Sequence, residues 1–302
     1  MRIFEKANFQ FIANRKKGYI FSGVLILASI GSFVINGLEL GIDFKGGMEF
    51  VIKTSEPLDV VAVRSALTGV LSSDPEVKTF GDDALLIRTL PMDDIDVTQS
   101  LILSGIGAAF PNTTLSVEKT DSVGPRFAQD LAEGALFSIF GSLLVIFVYI
   151  MIRFEWRFGV GAVAALFHDV IITLGVFSLL KGILPFSTQI DQTIIAAFLT
   201  IVGYSLNDTV VVFDRIREYT GLFKAESYND VVNRSINNTL SRTVVTSGTT
   251  LLVVGVLFIF GGEVLRGFAF ALIIGILIGT YSSVFVASPI VIELKKKSTT
   301  RR

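Results

Sequence analysis

Four polar residues lie in or beside apolar stretches, where they could line a path for protons. Asp208 and Asn207 come near the end of an apolar run that begins near Ile194, and Asp169 lies near the middle of another. A charged side chain at mid-bilayer costs about 2.5–3.5 kcal/mol on insertion scales, so such residues usually face protein or water. Arg242 precedes a further apolar run and is a candidate cation for Asp208. We therefore take Asp208, Arg242, Asn207 and Asp169 as candidates for a proton path.

Two of these positions also have a structural explanation. Arg242 could anchor its helix at the membrane surface through its long side chain. Asp169 could support the helix core through a hydrogen bond, with a Ser or Thr of the fifth span as the expected donor. Hydroxyl residues follow Arg242 closely and favour a buried or hydrated helix face; they are Thr243, Thr246, Ser247, Thr249 and Thr250. If the fifth helix starts before Arg242, this side chain can approach Asp208.

Other kinds of chemistry find little support in the residues. His168 is the only histidine and the chain has no cysteine, which excludes a multi-histidine centre, thiolate metal sites and a cysteine nucleophile. No GxxxxGK[ST] phosphate loop is present, which argues against ATP hydrolysis. We therefore expect a protein that is not an enzyme, with no metal, no cofactor and no nucleic-acid partner. The roles of His168 and Asp169, functional or structural, stay open.

The elements that position these residues are membrane spans. Of the 302 residues 51% are hydrophobic, the mean hydropathy is +0.66, and the apolar residues come in blocks of about 20, the length that crosses a bilayer. We predict a polytopic α-helical membrane protein with six transmembrane helices. These lie at about 18–37, 132–152, 159–180, 192–213, 243–260 and 267–292. The first is too long for a usual signal-peptide core and lacks a cleavage site, so we expect it to be retained.

The distribution of Lys and Arg predicts the orientation. Seventeen of them lie in the two terminal tails and in the second-to-third and fourth-to-fifth connections, against two in the short connections on the other side. Cytoplasmic segments carry the excess of positive charge. The tails 1–17 and 294–302 should therefore be cytoplasmic, and the polar region 38–131 should be periplasmic. The remaining five spans form a predicted bundle over 132–293.

The polar region between the first two spans has the pattern of a small domain. Alternating segments predict strands, for example Met48–Thr54 and Ala84–Leu90, and helical spacing is seen over Leu58–Leu71 and Asp96–Phe110. The order β-α-β-β-α-β predicts an α+β, ferredoxin-like periplasmic domain. In the sixth span, small residues recur every fourth position, including Gly275 and Gly279. Such stripes let membrane helices approach closely, so we expect these glycines to pack against another helix in the bundle or in a partner.

Several motifs in this order resemble the SecF family, whose members pair with SecD in the bacterial Sec protein-export system. They are "GIDFKGG" (41–47), "VGP" (123–125), "HDVIITLG" (168–175), "GYSLNDTVVVFDRIRE" (203–218), "LSRTVVTS" (240–247) and "FGGEVLRGFAFALIIGILIGTYSSVFVASP" (260–289). The resemblance covers nearly the whole chain. "GYSLNDTVVVFDRIRE" together with "GGEVLRGFA" is the most specific part.

The resemblance implies a function beyond what the spacing indicates. Members of this family form a twelve-helix unit of the resistance-nodulation-division superfamily with SecD. That unit works with the SecYEG channel and, in many bacteria, YajC, in the cytoplasmic (inner) membrane. It uses the proton-motive force to assist late translocation of unfolded polypeptide. By the same resemblance, Asp208 and Arg242 are the residues tied to proton conduction.

Two other functions remain open at the level of sequence. The first is a proton-driven small-molecule or lipid exporter of the same superfamily, although such proteins usually have larger outside domains and twice as many spans. The second is an assembly factor without ion coupling, against which Asp208, Asp169 and Arg242 argue. Proton-flux measurement on the co-purified complex would separate these functions.

Overall fold

A computed structural model of the chain describes residues 8–71, 75–81, 83–92, 94–184 and 186–300. The helices, in chain order, are α1 (Arg15–Ile35), α2 (Ile42–Lys45), α3 (Val60–Thr68), α4 (Ile95–Ala109), α5 (Pro125–Arg153), α6 (Trp156–Leu179), α7 (Gln192–Leu222), α8 (Tyr228–Phe260), α9 (Gly262–Ser282) and α10 (Ser288–Thr300). The strands are β1 (Gly47–Thr54), β2 (Glu76–Phe80), β3 (Ala84–Thr89) and β4 (Leu115–Val123). A π-helical turn, Ser283–Ala287, joins α9 to α10.

The chain divides into two compact units. The first contains the chain up to Leu38, Ser138–Leu180 and the chain from Ile194 onwards. The second contains Glu39–Phe137 and Lys181–Thr193. The described residues include six helices long and apolar enough to cross a membrane, so the predicted polytopic architecture with six membrane helices is confirmed. Five of them are α1, α5, α6, α7 and α8, and the sixth runs from α9 through the π-turn into α10.

The fourth and fifth membrane helices extend well beyond the apolar runs that predicted them. α7 continues to Leu222, and α8 begins at Tyr228, where Ser227 caps it by accepting a hydrogen bond from the backbone N–H of Asp230. Hydropathy marks only the apolar part of a helix, whereas capping and backbone bonding determine where the helix begins. Arg242 lies well inside α8, so the alternative in which the fifth helix starts before Arg242 is the one that the structure shows.

Close helix packing in the bundle depends on small residues. A Cβ atom at Gly279 would lie 2.9 Å from the Cβ of Ser205, and one at Gly275 would collide with Ile201. Both glycines thus let the sixth membrane helix lie directly against α7. The bundle core contains Phe158 of α6 packed edge to face on Phe213 of α7, with ring centroids 4.9 Å apart.

The π-turn in the sixth membrane helix adds one residue to a helical turn. The hydroxyl of Ser288 donates to the carbonyl of Ser283, five residues earlier, at 2.8 Å. Pro289 follows directly and has no N–H to donate. Turns of this type occur mostly as single insertions in α-helices, frequently at functional sites.

The second unit has the β-α-β-β-α-β order that the sequence predicts. Its sheet has the strand order β2-β3-β1-β4 with antiparallel neighbours, and α3 and α4 supply its helical layer. Strand residues Phe50 and Ile52 are buried with Leu67 of α3 and Ile102 of α4. The predicted ferredoxin-like arrangement is therefore confirmed.

The "GIDFKGG" segment leads into this sheet through α2 and two glycines. Gly46 has φ +73 and Gly47 has φ +135, and a Cβ at Gly47 would press against the carbonyl oxygen of Thr89. A glycine pair is therefore required at this turn. Asp43 of the same segment accepts a 2.8 Å hydrogen bond from the backbone N–H of Gln192, the first residue of α7. This carboxylate therefore caps the helix that carries Asp208.

Candidate proton site in the helix bundle

The carboxylate of Asp208 is bound by hydroxyl groups from two other helices. Thr243 of α8 donates to Oδ1 at 2.5 Å, and Ser283 of the π-turn donates to Oδ2 at 2.6 Å. Buried carboxyl groups are tolerated when they are hydrogen-bonded in this way. Asp208 thus joins α7, α8 and the sixth membrane helix at one point.

A small cavity lies beside this carboxylate. Its volume is about 10 Å³, close to the minimum that holds one water molecule. The residues that line it are Tyr204, Asn207, Asp208, Val211, Arg242, Thr246 and Ser247. Three of the four predicted candidates, Asp208, Asn207 and Arg242, therefore meet at one site. Sequence reasoning did not assign a role to Tyr204, whose buried hydroxyl has no hydrogen-bond partner among the described residues.

A larger open basin of about 500 Å³ lies next to this cavity. It is lined by Val210, Val211, Asp214, Arg215, Arg217, Glu218 and Arg242. Val211 and Arg242 belong to both linings, so they form the boundary between the basin and the Asp208 cavity. The exposed Arg242 side chain is therefore shared by the Asp208 cavity and the open, charged basin.

Asp169 lies in a second polar cluster and not in the Asp208 cavity. Its side chain is 1% exposed and accepts hydrogen bonds from Ser205 of α7 at 2.6 Å and Ser282 of α9 at 2.8 Å. Its other oxygen lies 2.9 Å from Nδ1 of His168. The predicted donor on the fifth membrane helix is wrong, because both hydroxyl donors belong to the fourth and sixth.

Neighbouring serines connect the two aspartates. Ser282 donates to Asp169 and Ser283 donates to Asp208. Side chains of adjacent residues in an α-helix point about 100° apart. The π-turn that starts at Ser283 changes this angle locally. Ser283 belongs to the stripe of small residues, four positions after Gly279, so the sequence marks it as a residue of a packed helix face. No sequence pattern indicates the partner of Ser282.

The residues around Asp208 are of the types that proton exchange requires. The Asp208 carboxylate accepts from two hydroxyl donors and lies beside a cavity of about the size of one water molecule, which the guanidinium-bearing residue Arg242 also lines. Within the described ranges, no three His, Asp or Glu side chains gather as a metal site would require. The chemistry that the site can perform is uptake and release of a proton at Asp208.

Comparison with known protein families gives two matches along the chain. A family described as the C-terminal part of the protein-export membrane proteins SecD/SecF matches residues 107–297. The SecD/SecF GG motif matches residues 31–57, which include the glycine pair before β1. The first match covers more than half of the chain, including Asp208 and Arg242.

Curated relatives carry the same family name. The chain is 66% identical over 302 residues to the protein translocase subunit SecF of Rhodothermus marinus, covering 100% of this chain and 98% of that protein. It is 44% identical over 282 residues to SecF of Vibrio alginolyticus, covering 92% and 87% of the two chains.

Solved structures of SecDF are similar in fold. SecDF of Thermus thermophilus, a translocon-associated membrane protein, superposes with a TM-score of 0.87 at 35% identity. SecDF in a super-membrane-facing form superposes with a TM-score of 0.71 at the same identity. Both comparisons cover 98% of this chain but only 40% of the SecDF chain, so this chain spans about two fifths of the length of those proteins.

Proposed function

This chain belongs to the SecD/SecF family of protein-export membrane proteins, and from that premise we propose that it acts as the SecF subunit of a bacterial Sec machinery. In this role it uses the proton-motive force, together with SecD, to assist the late translocation of unfolded polypeptide. The observation that carries this function is the carboxylate of Asp208, held by Thr243 and Ser283 beside a cavity that Arg242 lines.

The physical basis is a change of charge at Asp208. One elementary charge crossing the membrane potential supplies about 2.3 kcal/mol per 100 mV. When Asp208 is ionised, it attracts Arg242 across the shared cavity, and when it is protonated that attraction is lost. Each proton therefore changes the position favoured by the Arg242 side chain on α8. Since Asp208 also binds the sixth membrane helix through Ser283, the same step alters the contact between three helices.

The proposed partners and orientation follow from the family. SecDF chains are longer than this one and match it over 40% of their length, which supports SecD as the subunit that supplies the rest. SecDF of T. thermophilus is described as translocon-associated, which supports SecYEG as the channel partner. YajC remains a further proposed partner. We place the protein in the cytoplasmic membrane, with both termini in the cytoplasm and the ferredoxin-like domain in the periplasm.

The test is an Asp208→Asn variant assayed with SecD in vesicles. Asn keeps the size and hydrogen-bonding capacity of the side chain but cannot exchange a proton. Asp208→Asn should assemble with SecD and lose both proton flux and the stimulation of export by an imposed proton gradient. Proton flux is followed with a pH-sensitive dye, and export is followed by protease protection of the translocated chain.

Two further variants complete this test. Arg242→Lys retains the charge but loses the planar fork, so it should assemble and show reduced flux. Asp214→Asn, in the adjoining basin, is the matched control and should behave like the wild type. Wild-type flux in Asp208→Asn would make Asp208 a structural residue and overturn the proposed coupling.

A further inference from the structure

A chain of hydrogen bonds connects Asp169 to the first membrane helix. Nδ1 of His168 lies 2.9 Å from Asp169 Oδ1, and Nε2 of His168 lies 3.0 Å from the hydroxyl of Ser22 on α1. The Ser22 hydroxyl lies 3.0 Å from the hydroxyl of Tyr281 on α9. Tyr281 in turn donates to the backbone carbonyl of Gly18 on α1 at 2.7 Å.

The hydrogen atoms in this chain can be assigned by counting donors. A tyrosine hydroxyl has one hydrogen, and that of Tyr281 is directed at Gly18. The contact between Ser22 and Tyr281 therefore requires Ser22 to donate. Because the Ser22 hydrogen is then used, the contact between His168 and Ser22 requires His168 to donate from Nε2. His168 must consequently carry a hydrogen on Nε2 whenever all these bonds are present.

The remaining contact then requires one more proton. Without it, Nδ1 of His168 and the ionised carboxylate of Asp169 would be two acceptors facing each other at 2.9 Å. The hydrogen sits either on the carboxyl group of Asp169 or on Nδ1 of His168, and both arrangements have the same total charge. We propose that His168 and Asp169 form a second proton-binding site, separate from Asp208, which holds one shared proton in this arrangement of α1, α6 and α9.

The surroundings of the pair contain few other groups that titrate. Tyr281 of α9 stacks on the imidazole with ring centroids 6.1 Å apart, and Ser22 and Ser205 contribute uncharged hydroxyls. Ser283, the neighbour of Ser282 in sequence, donates to the carboxylate of Asp208, and Arg242 lines the cavity beside that carboxylate. Further along the helices, Glu293 of α10 is paired with Arg15 of α1 at 3.1 Å.

Loss of the shared proton has a defined structural consequence. The ionised Asp169 needs a donor, so His168 carries its hydrogen on Nδ1 and becomes an acceptor at Nε2. Ser22 then donates to His168, and the single hydrogen of Tyr281 can serve only one of its two contacts on α1, Ser22 or Gly18. Proton release at this site therefore weakens one link between α1 and α9, while the bonds of Asp169 to Ser205 and Ser282 remain.

The test uses the fact that His168 is the only histidine in the chain. The full-length protein, labelled with ¹⁵N-histidine and reconstituted with SecD made without the label, gives one imidazole to read by solid-state NMR. We expect Nε2 to be protonated at low pH and the hydrogen to move to Nδ1 as the pH is raised. Asp169→Asn should abolish this switch, because its amide N–H donates to Nδ1 and fixes the hydrogen on Nε2 at every pH.

A second variant tests the donor count. Tyr281→Phe leaves the Ser22 hydrogen available for His168, so the switch should move to lower pH by about 0.4–1 unit, the value of one ordinary hydrogen bond. Tyr149→Phe changes a 51% exposed tyrosine of α5 and should leave the switch unchanged. A wild-type His168 that carries its hydrogen on Nδ1 alone at every pH would overturn the shared-proton site.

The same spectra separate this site from the proposed function. Asp208→Asn should retain the His168 switch even though it is expected to stop proton-driven export. Retention of the switch, with or without an export defect, supports two separate sites. Disappearance of the switch in Asp208→Asn would mean that the two carboxylates act as one site and would overturn the inference.

Discussion

At the scale of single residues, the two donors of Asp208 are the contacts whose removal is most informative. A hydrogen bond to a charged group contributes about 1.5–3 kcal/mol, which corresponds to a factor of ten or more in an equilibrium or rate. Ser283→Ala removes one donor and leaves Thr243 in place. We expect proton-driven export in vesicles to fall by about tenfold or more, with normal assembly with SecD.

The control for this substitution is a serine with the same chemistry but no carboxylate partner. Ser142 of α5 donates to the backbone carbonyl of Ile139 at 2.8 Å, so Ser142→Ala should export at the wild-type rate. If Ser283→Ala and Ser142→Ala export equally well, the bond from the π-turn to Asp208 has no part in the transport cycle.

At the scale of secondary-structure elements, the start of α7 depends on a residue far away in sequence. Asp43→Ala removes the carboxylate that accepts from the Gln192 N–H, a loss of about 0.5–2 kcal/mol for a helix cap. Amide hydrogen exchange over the first turn of α7 should accelerate about 2- to 30-fold. Mass-spectrometric exchange of the reconstituted protein measures this directly.

A second cap in the same domain serves as the matched control. Asp59 caps α3 by accepting from the backbone N–H of Val61 at 2.8 Å. Asp59→Ala should accelerate exchange in α3 and leave the start of α7 unchanged. Equal exchange at the start of α7 in Asp43→Ala and in the wild type would show that Asp43 does not stabilise this helix.

Elements are also the scale at which sequence reasoning worked best. The membrane helices could be predicted because each contains a continuous apolar block long enough to cross a bilayer, and the β-α-β-β-α-β order could be predicted from the local periodicity of apolar residues. The start of α8 at Tyr228 could not, because helix continues through polar residues that hydropathy excludes. The hydroxyl partners of Asp169 could not be predicted either, since they depend on which helices pack against α6. The approach of Arg242 to Asp208 was predicted from their residue types. In the structure both residues line one cavity.

At the scale of the whole molecule, the proposed orientation is open to a direct test. A reporter fused after Arg302 should be active on the cytoplasmic side, because Lys and Arg are concentrated in the tails and in two short connections. A reporter inserted at Asn112, in the turn between α4 and β4, should be active outside. Alkaline phosphatase is active outside and a fluorescent protein is active in the cytoplasm, so each position is tested with both reporters and one serves as the control for the other. Outside activity at Arg302 or cytoplasmic activity at Asn112 would refute this orientation.

The π-turn at Ser283–Ala287 contains one residue more than a regular helical turn, and this wide turn can shift its position along the sixth membrane helix. If the wide turn moves by one position, the side chain it passes rotates by about 100° about the helix axis while both ends of the helix stay in place. The helix thus has an internal degree of freedom that a regular α-helix lacks. Ser282 and Ser283 lie at the edge of this wide turn, so a shift of one position past either serine would rotate that hydroxyl away from the carboxylate it contacts without sliding or tilting the helix.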